Sequence, residues 1–334
     1  MIRRNLSVII FIFSFMVLIG CSKPEDLEEY KLQDLKTTWL TVKDIYPYLE
    51  YKKINWDSLY LAYKPMIEAS EGNDYIELIF QMLCELKDGH VGIRLENGVE
   101  WRYSTSRQIK DNNAFDLAIT ETYLDNNFHW LAENVIGHAT INNKIEYLYI
   151  KSFMGWSNNL VFALTDTLTY YKNFSNLLII DVRHNGGGNS LYCDKIISHL
   201  ISDSLKTPGL YYINKYYDGP YIVSEAPQFN KKIAVLTNGK SFSSTEHFVM
   251  KIQQIDNSTI IGDTTGGGAG NPKYYELPSG IEIRVSTTNY LKYDGTPIEW
   301  NGIVPDILVT QTEEDIKRKT DKQLDYAINY LSDQ

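Results

Sequence analysis

Leu177-Leu178-Ile179-Ile180-Asp181-Val182-Arg183-His184-Asn185-Gly186-Gly187-Gly188 is the stretch that decides the fold. Its first six residues form a short apolar run interrupted only by Asp181. A run of that length without alternation is the mark of a strand buried on both faces. The strand then enters three glycines, which expose backbone N–H groups with no side chain to shield them. Such groups can hold an anion or a developing oxyanion. Outward from this point, strands alternate with helices. Upstream, residues 146–153 alternate like a strand and 160–174 are helical. Downstream, 190–201 are helical, 233–236 form a second buried strand ending in the turn Thr237-Asn238-Gly239, and 244–255 are helical. Residues 260–262 and 281–285 are further strands, and 315–331 a C-terminal helix. The alternation predicts an α/β domain with both sheet faces covered and its chemistry on loops at the strand ends.

The N-terminal part has a different pattern. Leu32, Leu35, Trp39 and Val42 recur at helical spacing, as do Ile76, Ile79, Phe80, Leu83 and Leu86. Trp56-Asp57-Ser58 starts another helix, with the polar pair near its cap. Residues 30–88 are therefore expected to be a helical cap, 89–312 the catalytic domain, and 313–334 a terminal helix. Asn97-Gly98 predicts a hairpin turn between strands at 92–96 and 99–103. Residues 104–145 give no clear pattern, and neither a long linker nor an internal repeat divides the rest.

Residues 1–20 are read as a secretory signal: Arg3 and Arg4, the apolar run 6–19, then Gly20 before Cys21. The run is shorter than the roughly 20 apolar residues of a comfortable membrane span. Leu18-Ile19-Gly20-Cys21 resembles a bacterial lipobox, which implies acylation of Cys21, a bacterial cell-envelope location facing the periplasm or the surface, and a polar tether over residues 21–29. An uncut N-terminal anchor is the alternative. Losing Arg3 and Arg4 would take the formal charge from −10 to −12. An acidic chain without Lys/Arg clusters is not expected to bind nucleic acid. Cys84 and Cys193 have no metal-ligand spacing and read as buried thiols, with a disulfide as the alternative. The 25 tyrosines suit a Tyr-rich core surface, where a ring buries area and keeps a polar handle, with sugar or peptide contacts as the alternative. No metal or organic cofactor is implied, and the oligomeric state is left open.

Four segments carry chemistry. They are Leu86-Lys87-Asp88-Gly89-His90, the strand running from Leu178 to Gly188, Val235-Leu236-Thr237-Asn238 with Ser241-Phe242-Ser243-Ser244-Thr245-Glu246, and Gly295-Thr296-Pro297-Ile298-Glu299 with Gly302-Ile303-Val304-Pro305-Asp306. A serine-rich turn opening a helix puts a hydroxyl at the positive end of the helix dipole, although serine there is also an ordinary cap. A His and a Glu elsewhere can serve as base and orienter.

In their order and wording these segments resemble peptidase family S41, the tail-specific peptidases that include C-terminal processing peptidases and the tricorn protease. The pattern shared with that family is Asp88-Gly89-His90, Asp181 to Gly188, Ser243 to Glu246, Ile261 to Gly267 (with Asp263 where the family has Glu) and Gly302 to Asp306. The resemblance implies a crotonase/ClpP-like α/β fold and a serine-type endopeptidase acting on peptides or proteins. It makes Ser243 the nucleophile, with the Ser244 N–H and that of Gly187, or alternatively Gly186, forming the oxyanion hole. The Ser/Lys dyad of the C-terminal processing members is missing, because their lysine position is occupied by Gly268. The tricorn-like branch uses a His assisted by a Glu, and His90 and Glu299 fall on those positions. The serine that precedes the tricorn histidine is Gly89 here. His184 and His247 are rival bases close to the motifs, with His247 expected to point elsewhere. Asp181 and Arg183 are expected to be structural and to position the glycine loop. Residues 94–145 are too short for a PDZ domain, the accessory common in this family. A non-proteolytic binding protein of the same fold, like the retinoid-carrying modules, and an esterase or amidase are the alternative functions.

Overall fold

Strand Leu177–Asp181 lies in the middle of a seven-stranded sheet. Across that sheet run Ile307–Leu308, Ser258–Gly262, Lys232–Thr237, Leu177–Asp181, Ile145–Ile150, Ile136–Ile141 and His129–Trp130. The first five are mutually parallel, and the last two join antiparallel. This is a computed structural model that describes residues 24–105, 114–131, 134–174, 177–213, 215–225, 229 and 231–333. The expected signal segment 1–20 and the expected acylation site Cys21 lie outside the described residues.

The sheet is buried on both sides, as its apolar strands require. Leu178 and Ile180 face a core made with Leu160, Leu164, Ile196 and Phe248, from helices Asn158–Phe174, Ser190–Leu200 and Ser244–Ile252. Ile179 faces the opposite way, toward Ala234, Leu236, Ile261 and, from helix Lys322–Ser332, Leu324 and Leu331. The period-two alternation of a strand thus assigns neighbouring residues of one run to two separate cores.

Helices Pro24–Ile45, Trp56–Glu68 and Asp74–Cys84 form the expected cap. They share a third core with a four-stranded antiparallel sheet, ordered Lys273–Glu276, Glu282–Val285, Gly92–Arg94, Glu100–Arg102. The predicted hairpin around Asn97-Gly98 supplies two of those strands, pairing Gly92 with Arg102 and Arg94 with Glu100. The cap is therefore tied to chain that returns almost two hundred residues later.

Two expectations need correction. The first helix already begins at Pro24, so residues 24–29 are helical where a tether was expected. The C-terminal helix is two helices, Glu313–Lys317 and Lys322–Ser332. Lys319 takes a positive φ between them, and Asp321 caps the second through the Leu324 N–H. The second N-terminal helix starts at Trp56 as expected, with Asp57 and Ser58 beside its cap Asn55, whose Oδ1 accepts from Ser58 N at 3.0 Å. Residues 104–145 contain helix Leu117–Glu121 and the two antiparallel strands at one end of the main sheet. Cys84 and Cys193 are both free thiols, Cys193 fully buried. Among the described residues no helix is long and apolar enough to cross a membrane.

Candidate active site

Ser243 sits where strand Lys232–Thr237 turns into helix Ser244–Ile252. Its φ of 59° and ψ of −123° are sparsely populated for a residue with a Cβ, at a strain of about 1–3 kcal/mol. The surrounding bonds fix this geometry. Ser243 N donates to Gly268 O at 3.0 Å and to Glu246 Oε2 at 3.1 Å, and Phe242 N donates to Asn185 O at 2.9 Å. Ser241 Oγ reaches Val182 O at 2.8 Å, stapling the turn to the end of the central strand. Glu246 is the hub: it also accepts Thr265 Oγ1 at 2.6 Å and the Gly267 and Gly268 N–H groups at 2.8 Å. Burial raises its carboxyl to about 7 against the pull of those donors.

His90 arrives from the other side of the molecule, at the junction of the cap and the small sheet. Its Nε2 lies 3.0 Å from Ser243 Oγ, across 153 residues of chain. The Ser243 hydroxyl therefore faces a base, whereas a plain helix cap would turn it onto its own helix. The His90 ring packs on Phe242 with centroids 4.7 Å apart and is almost fully buried. Burial pushes the imidazole below its ordinary value, and Asp88 offsets this only in part. The ring is then neutral near pH 7, the form that accepts a proton.

Asp88 is the carboxylate beside His90. Its Oδ1 accepts the His90 backbone N–H at 2.8 Å and stands 3.5 Å from Nδ1, an ion-pair distance longer than a good hydrogen bond. Ser286 Oγ holds the other oxygen at 2.7 Å. Burial alone would raise Asp88, but His90 and Lys52 outweigh it and hold the carboxyl well below the usual range.

Glu299, expected to assist His90, does not hydrogen-bond it. Its Oε1 pairs with Lys52 Nζ at 2.5 Å, both side chains fully buried. Lys52 also donates to Leu86 O at 2.8 Å, Lys87 O at 3.2 Å and Tyr46 Oη at 3.0 Å. The pair thereby grips the two carbonyls that precede Asp88. Burial and the charge of Asp88 push the Glu299 carboxyl up, with Lys52 pulling against them. Lys52 lies in the cap, outside every motif, and no feature of the sequence singled it out.

The oxyanion donors also differ in part. Gly187 N donates to Asn185 Oδ1 at 2.9 Å, so this N–H is already committed. Its glycine is needed sterically: at φ +97°, a Cβ would lie 2.7–2.8 Å from Phe242 O, Ser243 Cβ and Ser244 N. The Ser244, Gly186 and Gly188 N–H groups have no partner among the described residues. Gly186 and Gly188 line the cleft with Ser243. Gly186, the alternative donor from the sequence, and Gly188, which it did not name, therefore remain able to donate. Gly268 has no room for the lysine of the Ser/Lys branch, since a Cβ there would lie 2.4 Å from the Phe242 ring.

Of the rival histidines, His247 is buried against Tyr290 with ring centroids 4.2 Å apart, and burial lowers it to about 3. His184 lines the cleft edge-on to Phe115. Arg183 is fully buried and bridges Asp181 to Asp321, at 2.6 Å and 2.7 Å. Asn185 then ties the glycine loop to Ile150 O at 2.9 Å. Asp181 and Arg183 are thus placed as structural residues behind the loop, with Asp321 as a third member the sequence did not suggest.

The cleft over Ser243 has a volume of about 660 Å³. A strained serine, a neutral histidine at 3.0 Å and free N–H groups beside them can attack a carbonyl and stabilise the resulting oxyanion. Comparison with known proteins agrees with that chemistry. The chain is 25% identical over 198 residues to the tricorn protease of Thermoplasma acidophilum and 26% identical over 211 residues to that of Thermoplasma volcanium. These alignments cover 58% and 60% of this chain but only 17% and 19% of the relatives' length. A crystal structure of a candidate peptidase from Parabacteroides merdae superposes with a TM-score of 0.79 at 27% identity, covering 90% of this chain and 96% of that one. Mature CPAF bound to lactacystin shares the fold at 12% identity, with a TM-score of 0.68 over 91% of this chain and 98% of its own. The model of the tricorn protease C1 domain matches residues 28–84, and that of peptidase family S41 matches 144–309. The helical cap and the sheet bearing Ser243 are thus matched in the order in which they occur, and the chain belongs to peptidase family S41.

Proposed function

We propose that the protein is a serine peptidase that cleaves peptide bonds in peptide or protein substrates through an acyl-enzyme on Ser243. His90 Nε2 takes the hydroxyl proton as Oγ attacks the scissile carbonyl carbon. The tetrahedral oxyanion is held by the N–H groups of Ser244 and of Gly186 or Gly188, at the positive end of helix Ser244–Ile252. The histidinium then protonates the leaving amine, the C–N bond breaks, and water, deprotonated by His90, releases the acyl group. Asp88 orients His90 and favours its charged form in the transition state. The Lys52–Glu299 pair acts one step further back, holding the backbone that presents Asp88 and His90.

The observation that supports this most directly is the 3.0 Å approach of Ser243 Oγ and His90 Nε2 at a residue strained into the left-handed region. The test is hydrolysis of an unstructured protein such as casein by wild type, Ser243→Ala and His90→Ala. Each variant should lose on the order of 10²–10⁴-fold in rate while remaining folded. Undiminished hydrolysis by Ser243→Ala would remove the proposal.

The proposal extends to residues 1–21, which support a lipid-anchored protein of the bacterial cell envelope, acylated on Cys21 and facing either the periplasm or the surface. Metabolic labelling with a clickable palmitate analogue should tag the wild type and not Cys21→Ala. Equal labelling of both would remove the anchor and leave the chemistry untouched. The acidic balance of the chain likewise argues against a nucleic-acid partner.

A further inference from the structure

One wall of the cleft beside Ser243 and His90 is a row of side chains across the small antiparallel sheet. Tyr274 stands opposite Arg284, Arg284 opposite Gly92, and Gly92 opposite Arg102. Direct partners share a face of the sheet, so Arg284 and Arg102 flank a position that has no side chain. Both arginines and Tyr274 line the cleft with the catalytic pair. Placing two cations so close is unfavourable for the sheet itself. Arg102 is relieved by Glu100 at 2.7 Å and lies 3.4 Å from Tyr274 Oη. Arg284 has no such ion pair, and Tyr274, Glu100 and Asp88 favour its charge only from a distance. Its Nη1 donates to the His90 carbonyl oxygen, and among the described residues no carboxylate lies within ion-pair distance of it. Burial, and then the charge of Arg102, push its guanidinium below the ordinary value. A guanidinium carries five donors in a planar fork, and most of this one's are uncommitted at the edge of the cleft. Lys240, exposed, adds a third cation to the lining. The chain as a whole is acidic, at −10, so this positive wall is local.

We propose that Arg284, seconded by Arg102, is a carboxylate-binding subsite that selects substrates bearing a carboxylate close to the scissile bond. The inference rests on the peptidase reading above. The planar fork of Arg284 suits a bidentate carboxylate, and bound there the substrate anion would relieve the repulsion between the two arginines. Because Arg284 also holds the His90 carbonyl, the occupied subsite abuts the base. The carboxylate can come from an Asp or Glu side chain or from a free chain terminus.

The test uses two pairs of fluorogenic peptides on the full-length protein. One pair has internal Glu or Gln, with both peptides amidated at the C-terminus. The other lacks acidic side chains and ends in a free acid or an amide. In at least one pair the wild type should cleave the carboxylate form on the order of 10-fold faster in kcat/KM, and the pair that responds identifies the source. Arg284→Gln and Arg102→Gln should bring that ratio toward one, Arg284→Lys should keep part of it, and high salt should shrink it. The ratio within each variant cancels any general loss of activity. Should Arg284→Gln not fold, Arg102→Gln at the exposed end of the row carries the test. A wild-type ratio of one in both pairs, or a ratio unchanged in the glutamine variants, overturns the subsite. Should the wild type cleave neither pair, binding of the same peptides to Ser243→Ala by fluorescence anisotropy decides it: a preference for the carboxylate forms supports the subsite, and equal affinity overturns it. Labelling of Ser243 by a fluorophosphonate separates the two failures. A protein that labels but shows no preference loses only the subsite, whereas one that never labels loses the peptidase reading.

Discussion

Asp88 and His90 form the part of the site whose pH behaviour can be worked out from individual groups. Burial lowers His90 and Asp88 partly restores it. The acid limb of kcat/KM should therefore lie below the ordinary histidine value of about 6.5. Asp88→Asn removes the negative charge that favours the histidinium, so the acid limb should move to still lower pH, and activity at its plateau should fall on the order of 10²-fold. A pH–rate profile of both proteins checks this, and a merely structural Asp88 would lower the plateau without moving the limb. Gly187→Ala tests steric need at the same scale. Its Cβ would lie 2.7–2.8 Å from the backbone of the nucleophile turn, so a loss of about 1–3 kcal/mol in urea unfolding is expected, together with loss of activity. Ser243 and His90 were legible in the sequence because each lies in a short motif and the motifs keep a fixed order. The carboxylate that serves His90 was not. Asp88 and Glu299 both fall in recognised segments, and order along the chain does not say which one lies 3.5 Å from Nδ1. Gly187 was legible as a glycine but not in its use, because the competing acceptor, Asn185 Oδ1, appears only once the loop is folded.

At the scale of elements, the site is a meeting of two pieces that the Lys52–Glu299 pair joins. Both side chains are fully buried, so removing one leaves an uncompensated charge in the interior. Lys52→Met should cost about 3–5 kcal/mol, whereas the double variant Lys52→Met, Glu299→Leu should recover much of that loss. A double-mutant cycle in urea measures the coupling, and a double variant that is stable but slow would separate the pair's positioning of Leu86 and Lys87 from its part in folding. The strands and helices around the glycine loop were legible because their apolar runs are short, bounded and well separated. The C-terminal element was not read correctly, since no Gly or Pro marks a stop within residues 313–332. The break is set by polar caps instead: Thr312, which accepts from Asp315 N, and Asp321. The tether was misread for a related reason, because a polar composition does not distinguish an exposed first helical turn from an extended chain.

Across the whole molecule, the Arg183 cluster links the central strand to the final helix. Arg183 joins Asp181 at 2.6 Å to Asp321 at 2.7 Å, and Asp321 in turn holds Thr120 Oγ1 at 2.7 Å and caps the last helix. Burial favours the neutral form of Asp321, but Arg183 and these hydrogen bonds outweigh it and hold its carboxyl below the usual value. A depressed folded pKa contributes stability that is present above the unfolded value of about 3.9 and is lost as pH falls through the lower folded one. Asp321→Asn should therefore lower stability at neutral pH and flatten its decline in strong acid, read as urea midpoints from pH 2 to 7. The cluster was half visible in the sequence, since Asp181 and Arg183 stand two apart on a strand end. Asp321 is 138 residues further on, and only the packing of the last helix brings it in. The division of labour that results is consistent throughout: the parallel sheet and its buried ions hold Ser243, the cap and small sheet hold His90, and neither piece alone contains a site.

The central claim is that Ser243 is a nucleophile activated by His90, and covalent labelling tests it most directly. The protein is treated with a fluorophosphonate at pH 7 to 8, and the adduct is located by peptide mass spectrometry. A single adduct on Ser243 is predicted, formed much more slowly in His90→Ala and absent in Ser243→Ala. An adduct on another residue, or equal labelling of wild type and Ser243→Ala, would contradict it.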